Sequence, residues 1–186
     1  LSPTEEHQLL TEWNETAAVF PDAQCIHELF EEQVVRNPDA IAVRFKQQEL
    51  SYIELNQRSN QLAHYLSSQG VGPDTVVGIC VDRSLDMLIG VLAIMKSGGA
   101  YLPLDPSYPK ARLDYMIADS GVQWILTQQH LIGRYSVKHV LCLDDDDFGN
   151  ELRQLSSANL SKKTLGLTSN HLAYLIYTSG STGNPK

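Results

Sequence analysis

The sequence has no run of about eighteen apolar residues, so it predicts no membrane-spanning helix, and it shows no signal peptide. Positive charge is also scarce. Lys and Arg number 14 against 22 Asp and Glu, which gives a formal net charge of −8 with no basic run. Such a chain is a poor binder of nucleic acid or of an anionic membrane surface. We therefore expect no nucleic-acid partner and no membrane partner.

Cysteine is rare and widely spaced, with Cys25, Cys80 and Cys142 as the only three. An odd number at such distances does not resemble a disulfide framework. Cys80 and Cys142 lie within apolar, strand-like runs, where a reduced and buried thiol is the usual state. These features predict free thiols and a cytoplasmic location.

Several catalytic and metal-binding patterns are missing. The six histidines include no pair at the spacing of a zinc protease, and there is no Cys-x-x-Cys. The run Gly-Ser-Thr-Gly at 180–183 is one residue short of a hydrolase nucleophile elbow. The four aspartates at 144–147 fail as a calcium loop, because that register puts Phe148 and Leu155 where oxygen ligands are required. The sequence predicts no metal site, and we interpret 144–147 as a solvated acidic loop.

What the sequence does contain is an alternation of strand and helix patterns. Apolar runs bounded by turn residues predict strands at 41–45, 76–81, 100–106 (ending in a turn), 124–127, 139–144 and a buried one at 172–177. Helical spacing predicts helices at 26–37, 51–69, 83–96 and 109–119. This alternation indicates an α/β fold with a mostly parallel sheet.

Local signals mark several boundaries. Ser2 before Pro3, and Ser51 three residues before Glu54, are typical helix N-caps. Residues 1–22 are otherwise polar and read as a linker, with Trp13 as an anchor onto the body of the domain. The chain from 156 to 169 is polar and is expected to be a surface loop.

Two polar residues near predicted strand ends could be mistaken for catalytic groups. Asp105 precedes a proline, which is a common turn signal. His171 stands just before the last predicted strand. We interpret both as turn or packing residues.

The last ten residues, 177–186, read Tyr-Thr-Ser-Gly-Ser-Thr-Gly-Asn-Pro-Lys. Gly180 and Gly183 allow the backbone to approach a ligand closely, and Lys186 adds a positive charge. Successive N–H groups and four hydroxyls can form a concave anion site, which suits a polyphosphate. The loop is not a Walker A motif, because Pro185 stands where the second glycine is needed. An ordinary Ser/Gly-rich loop or linker is the alternative.

This loop resembles the phosphate-binding signature of the adenylate-forming enzyme superfamily, which includes acyl-CoA synthetases, firefly luciferase and adenylation domains of nonribosomal peptide synthetases. The blocks at 50–55 and 95–105 resemble two further core motifs of that superfamily, in the same order. The run Cys-Ile-His-Glu-Leu-Phe-Glu-Glu-Gln at 25–33 is most similar to amino-acid-activating adenylation domains. The resemblance extends from about Trp13 to Lys186.

The resemblance implies the N-terminal part of the large α/β domain of an ATP-dependent adenylating ligase. Such an enzyme joins an amino acid to AMP, releases pyrophosphate and passes the acyl group to a carrier-protein phosphopantetheine thiol. ATP with Mg²⁺ is implied, although no Mg²⁺ ligand is evident in these residues. No complete catalytic set is implied within the chain. The implied contacts to the ATP phosphates are Thr178, Ser179, Gly180, Ser181, Thr182, Gly183 and Lys186.

The implied domain organisation is a linker at 1–22, followed by the N-terminal portion of an adenylation domain at 23–186, truncated at the phosphate loop. The chain starts at Leu1 and stops before the glycine that normally follows the lysine, so we expect a cut from a longer polypeptide. The implied partners are the rest of the domain beyond Lys186, carrier and condensation domains, and an amino acid. The piece alone is expected to be inactive. An acyl-CoA or aryl ligase, or a non-catalytic split or degenerate docking module, remains the alternative.

Overall fold

The computed structural model describes residues 1–178, and helices and strands alternate along them. In chain order the elements are α1 (Pro3–Leu10), α2 (Ile26–Arg36), β1 (Ile41–Phe45), β2 (Gln48–Ser51), α3 (Tyr52–Ser68), β3 (Val76–Cys80), α4 (Leu85–Lys96), β4 (Ala100–Pro103), α5 (Lys110–Ser120), β5 (Trp124–Thr127), β6 (His139–Cys142), α6 (Asp146–Leu152) and α7 (Lys162–Leu165). Short 3₁₀ turns lie at Glu12–Asn14 and Gln129–Leu131.

The centre of the fold is a four-stranded sheet with the order β4-β3-β5-β6. All three strand pairs are parallel, so the expected α/β fold with a parallel sheet is confirmed. Beyond β4, Tyr174 forms a parallel bridge with Tyr101 and extends the sheet by one more segment. We call residues 172–178 the edge segment.

The strand predicted at 172–177 is not buried. Leu172, Tyr174 and Ile176 are about half exposed and alternate with more buried neighbours. The reason is position: the edge segment pairs with β4 on one side, and its outer face has little covering it among residues 1–178. Its apolar composition resembled that of a central strand, and only the sheet order shows that within residues 1–178 it lies at an edge.

A hairpin precedes the sheet, and its second strand was not predicted. β2 pairs antiparallel with β1, and Lys46 in the turn between them has a positive φ of 54°. β2 is Gln-Glu-Leu-Ser, which has almost no apolar alternation. It forms because β1 supplies a partner, and α3 then begins directly after it.

Helix α3 begins as its sequence indicates. The Ser51 Oγ accepts the Glu54 N–H at 3.4 Å, and the Glu54 carboxylate accepts the Ser51 N–H at 2.8 Å. Its predicted inner face is fully buried, and it packs against α4 in the core cluster. The buried positions of that face are Leu55, Leu62, Ala63 and Leu66.

Helix α4 lies close to the sheet. A Cβ built on Gly90 would come within 2.9 Å of Ile79 Cδ1 on β3, so a glycine permits this approach. On the other side of the sheet, α5 buries Leu113, Met116 and Ile117, as its spacing predicted. Both faces of the parallel sheet are therefore covered by helices.

The interpretation of 144–147 as a loop is wrong from Asp146 onward, although Asp144, Asp146 and Asp147 are exposed as expected. Asp145 is the N-cap of α6, where its Oδ1 accepts the Phe148 N–H at 2.8 Å. Asp146 and Asp147 occupy the first turn, where the helix dipole favours negative charge. The predicted strand at 139–144 correspondingly ends at Cys142.

Two further expectations need correction. The stretch 156–169 is not entirely loop, because Lys162–Leu165 forms α7, and Lys162 bonds the Glu28 carboxylate at 2.8 Å. Trp13 does not anchor the N-terminal stretch: it is 66% exposed, and all of residues 1–23 are exposed.

The three thiols are free, as expected. None of the helices between residues 1 and 178 has the length and apolar character needed to cross a bilayer.

Candidate functional site

The carboxyl ends of the parallel strands and of the edge segment meet at one edge of the sheet, because all of them run in the same direction. In open α/β folds, ligands bind at this edge. We call the side of the sheet where the strands end the carboxyl edge, and the side where they begin the amino edge. Both differ from the lateral side of the sheet, where the edge segment lies. The polar residues that follow the strands at the carboxyl edge are Asp82, Arg83, Asp105, Gln128, Asp144 and Thr178.

A cleft of about 570 Å³ lies at the carboxyl edge, between the ends of β3 and β4 and the edge segment. Its base is apolar, with Ile79, Tyr101 and Met116 among the lining residues. Asp82 and Arg83 line the same cleft and are exposed. An apolar base with a few charged groups at the mouth is typical of a small-molecule site.

Asp105 is a turn residue, as interpreted from the sequence. Its Oδ1 accepts the Ser107 N–H at 2.8 Å, which closes a turn after β4. Hydrogen bonds from Ser107, with smaller contributions from Arg112 and Arg83, lower the pKa of this carboxyl below its usual value. Asp105 is therefore a fixed negative charge beside the cleft rather than a proton carrier near neutral pH.

His171 also has a local role. Its Nδ1 accepts the Thr168 N–H at 3.0 Å, which closes the turn before the edge segment. This arrangement confirms the reading of His171 as a turn residue. Within residues 1–178, no three His, Cys, Asp or Glu side chains are grouped closely enough to hold a metal ion.

Of the seven residues assigned to phosphate contacts, the structure places only Thr178. It is exposed and lies where the edge segment leaves the sheet at the carboxyl edge. The other six lie outside the described residues: Ser179, Gly180, Ser181, Thr182, Gly183 and Lys186. The structure thus fixes where the predicted loop starts.

The backbone of the edge segment is held at three points before Thr178. The Tyr101 N–H donates to the Ala173 carbonyl at 3.2 Å, and the Leu175 N–H donates to the Tyr101 carbonyl at 3.0 Å. At the start of the segment, the Leu172 N–H donates to Asp74 Oδ1 at 2.9 Å. The segment that precedes Thr178 is therefore fixed to the sheet by hydrogen bonds, although it forms only a single bridge and not a full strand.

Tyr177 adds a side-chain contact that sequence reasoning did not identify. Its hydroxyl donates to Asp119 Oδ2 on α5 at 2.5 Å. Burial, together with the Asp119 carboxylate, raises the pKa of Tyr177 above its usual value. The partners are 58 positions apart in the chain, and no local pattern signals the pairing.

Charge at the amino edge is arranged differently. Lys96 at the end of α4 is buried, forms an ion pair with Glu31 of α2 and lies over the Phe30 ring. Burial lowers the pKa of Lys96, and the hydrogen bond to Glu31 opposes that shift. His27 is also buried, and burial with the nearby Lys96 lowers its pKa to about 4. These groups hold α2 against α4.

Comparison with solved structures gives similar folds. A crystal structure of the nonribosomal peptide synthetase FmoA3 with AMPPNP bound has a TM-score of 0.82 and 30% identity, covering 94% of this chain and 18% of that one. The N-terminal subdomain of Klebsiella oxytoca NpsA shares the fold, with a TM-score of 0.74 at 24% identity. The match covers 89% of this chain and 41% of the NpsA chain.

Curated relatives match the whole chain. A linear gramicidin synthase from Brevibacillus parabrevis is 49% identical over 188 residues, which is 100% of this chain and 4% of that protein. Gramicidin S synthase 2 of Brevibacillus brevis is 47% identical over 186 residues and is likewise covered to 4%. The chain thus spans a small part of these relatives. Residues 30–186 match the family model described as AMP-binding enzyme, and the chain belongs to this family.

Proposed function

We propose that this chain is the N-terminal portion of an adenylation domain that activates an amino acid for nonribosomal peptide synthesis. In the proposed reaction, the amino acid carboxylate attacks the α-phosphorus of ATP, an aminoacyl adenylate forms and pyrophosphate leaves. The acyl group then passes to the phosphopantetheine thiol of a carrier domain, and AMP is released. Residues 1–22 form the linker before the domain in this proposal, and residues 23–186 belong to the domain itself.

The observation that carries the proposal is the position of Thr178. It begins the run Thr-Ser-Gly-Ser-Thr-Gly and directly follows the edge segment at the carboxyl edge. Glycines and hydroxyls at such a place supply donors without bulk, which suits phosphates. The similarity to the two gramicidin synthases and to the nonribosomal peptide synthetase FmoA3, which binds AMPPNP, favours the same chemistry.

The residues have two tasks in this proposal. The backbone N–H groups and hydroxyls of 178–183 hold the β- and γ-phosphates, so that the α-phosphorus faces the carboxylate. Lys186 stabilises the negative charge that develops on the leaving pyrophosphate. The amino acid pocket and the remaining catalytic groups belong to the rest of the domain beyond Lys186.

Mg²⁺ neutralises phosphate charge in reactions of this kind. Residues 1–178 offer no cluster of three ligating side chains for it. Mg²⁺ at such sites is usually held by the substrate phosphates with only one or two carboxylates, so we propose that the ATP phosphates are its main ligands.

The proposed partners are the remainder of the adenylation domain, the carrier and condensation domains of the same assembly, and the amino acid substrate. The relatives of this chain are much longer proteins, which leaves room for such domains. We also propose a cytoplasmic location, because the free thiols fit a reducing compartment.

Amino-acid-dependent exchange of pyrophosphate into ATP tests the proposal in the complete protein that carries this chain. Lys186→Ala should lower kcat/KM for ATP by about 10²–10³-fold, the usual cost of removing a preorganised charge-stabilising donor. Lys163→Ala is the matched control: Lys163 is exposed on α7, and its loss should change the rate by less than about twofold. The 186-residue piece alone should give no exchange.

The acid specificity decides between this function and its alternatives. If fatty or aryl acids support the exchange and none of the amino acids does, the protein is an acyl-CoA or aryl ligase and the proposal is wrong. A folded complete protein that exchanges with no acid would favour a non-catalytic docking module. Equal values of kcat/KM for ATP in Lys186→Ala and Lys163→Ala would show that the assignment of the phosphate loop is wrong.

A further inference from the structure

Tyr177 is the last residue before the predicted phosphate loop, and its side chain is tied to a different element of the fold. The hydroxyl donates to Asp119 Oδ2 at 2.5 Å. The ring meets Tyr115 edge-on, with centroids 6.4 Å apart and planes at 74°. Both partners lie on α5, so this side chain joins the edge segment to that helix.

Helix α5 is a firm support for this contact. Leu113, Met116 and Ile117 are buried in the core cluster on that face of the sheet. The helix ends at Ser120, and Gly121 follows with a left-handed φ of 68°. Asp119 therefore stands one position before the end of a helix whose place is fixed by packing.

The charge of Asp119 is unfavourable where it stands. Carboxylates near the C-terminus of a helix face the negative end of the helix dipole, and α5 has no basic residue in its last turn. Proteins break local rules of this kind mainly at functional or strained sites. The hydroxyl of Tyr177 is the contact that the structure provides.

We propose that Tyr177 and Asp119 form a positioning pair that fixes the direction in which the chain leaves the sheet edge and enters the phosphate loop. The Leu175 N–H, two residues before Tyr177, makes the last backbone bond from the edge segment to β4 within residues 1–178. The side chain of Tyr177 is the next restraint along the chain. This inference rests on the proposed function for the part that concerns ATP.

Loss of this restraint has a specific consequence. Without the bond, the Tyr177 side chain adopts more directions, and the donors of the loop that follows meet the phosphates in the productive arrangement less often. The loss therefore appears as a higher KM for ATP. Helix α5 keeps its packing when Tyr177 is changed, and it loses an unfavourable charge when Asp119 is changed. A merely structural pair would lower stability and leave the KM for ATP unchanged.

The test compares Tyr177→Phe, Asp119→Ala, Asp119→Asn and the double variant Tyr177→Phe/Asp119→Ala in the complete adenylating protein. Tyr177→Phe and Asp119→Ala should each raise the KM for ATP about three- to tenfold, as expected for the loss of an exposed hydrogen bond of ordinary net strength. The double variant should be no worse than either single variant, since both remove the same bond. Asp119→Asn keeps an acceptor oxygen and should recover most of the loss.

Two variants serve as matched controls. Tyr174→Phe removes a hydroxyl from the same edge segment, where Tyr174 is 52% exposed. Asp114→Ala removes a carboxylate from α5 that pairs with the exposed Lys110. Neither should change the KM for ATP, and none of the test variants should shift the thermal midpoint by more than these controls do.

A second readout needs no activity. The Leu175 amide, which bonds the Tyr101 carbonyl at 3.0 Å, should exchange hydrogen faster in Tyr177→Phe and Asp119→Ala than in the controls. Unchanged exchange together with an unchanged KM would overturn the pair. Faster hydrogen exchange at the Leu175 amide, in a complete protein that forms no adenylate, would support the positioning pair and reject the proposed function instead.

Discussion

The two edges of the parallel sheet use charge in opposite ways. At the amino edge, Lys96 is 1% exposed and paired with Glu31. At the carboxyl edge, Arg83, Asp105 and Thr178 are exposed. A buried charge depends on its partner for the fold to persist, whereas exposed groups can exchange water for a ligand at little cost to stability. The comparison points to a role in stability for the amino edge and agrees with the proposed binding at the carboxyl edge.

The largest expected effect on stability comes from breaking the buried pair. Lys96→Met leaves Glu31 without its partner and should lower the free energy of unfolding by about 3–5 kcal/mol. Arg83→Met, which removes a cation from the carboxyl edge, should cost less than about 0.5 kcal/mol. Denaturant unfolding of the two variants measures both, and similar losses would erase the difference between the edges.

The next effect is a pH dependence that belongs to the amino edge. Burial, with Lys96 nearby, lowers the pKa of His27 from 6.5 to about 4. Between these values the unfolded chain binds a proton at His27 and the folded chain does not, so stability is present above pH 6.5 and is lost as the pH falls to about 4. The loss should reach about 3 kcal/mol.

The variant His27→Gln isolates this contribution. Its unfolding free energy should depend less on pH than that of the unaltered protein across the same window, because Glu28 and Lys162, the other charges near His27, are present in both proteins. Parallel pH profiles for the two proteins would show that His27 does not couple to folding.

A smaller effect tests the close packing at the amino edge. A Cβ at Gly99 would lie 2.9 Å from Val71 Cγ1 and 3.1 Å from the Thr75 carbonyl oxygen. Gly99→Ala should therefore cost about 1–3 kcal/mol. Gly149→Ala in α6 meets open space and should be neutral or stabilising by up to about 1 kcal/mol. A neutral Gly99→Ala would mean that this edge adjusts more easily than the structure indicates.

Sequence reasoning succeeded where the causes are local. The cap formed by Ser51 and Glu54, the buried face of α3 and the bounds of β5 at Trp124–Thr127 all follow from neighbouring residues. The parallel sheet followed from the alternation of patterns. The cap, the buried face and the strand bounds depend on hydrogen bonds and spacing within one element, which can be read directly from the order of residues.

The failures have non-local causes. β2 exists because β1 pairs with it, and Trp13 is exposed because no part of the described domain covers it. The bond from Tyr177 to Asp119 joins residues far apart in the chain. The phosphate loop itself stays a prediction from resemblance and composition, and the structure adds the place of Thr178, the residue at which it would begin.

The most direct test of this account is a crystal structure of the complete protein with a non-hydrolysable ATP analogue. We predict that the β- and γ-phosphates lie at the carboxyl edge, within hydrogen-bond distance of the 178–186 loop, with Tyr177 still bonded to Asp119. Phosphates bound away from this loop, or at the amino edge near Lys96, would contradict the account.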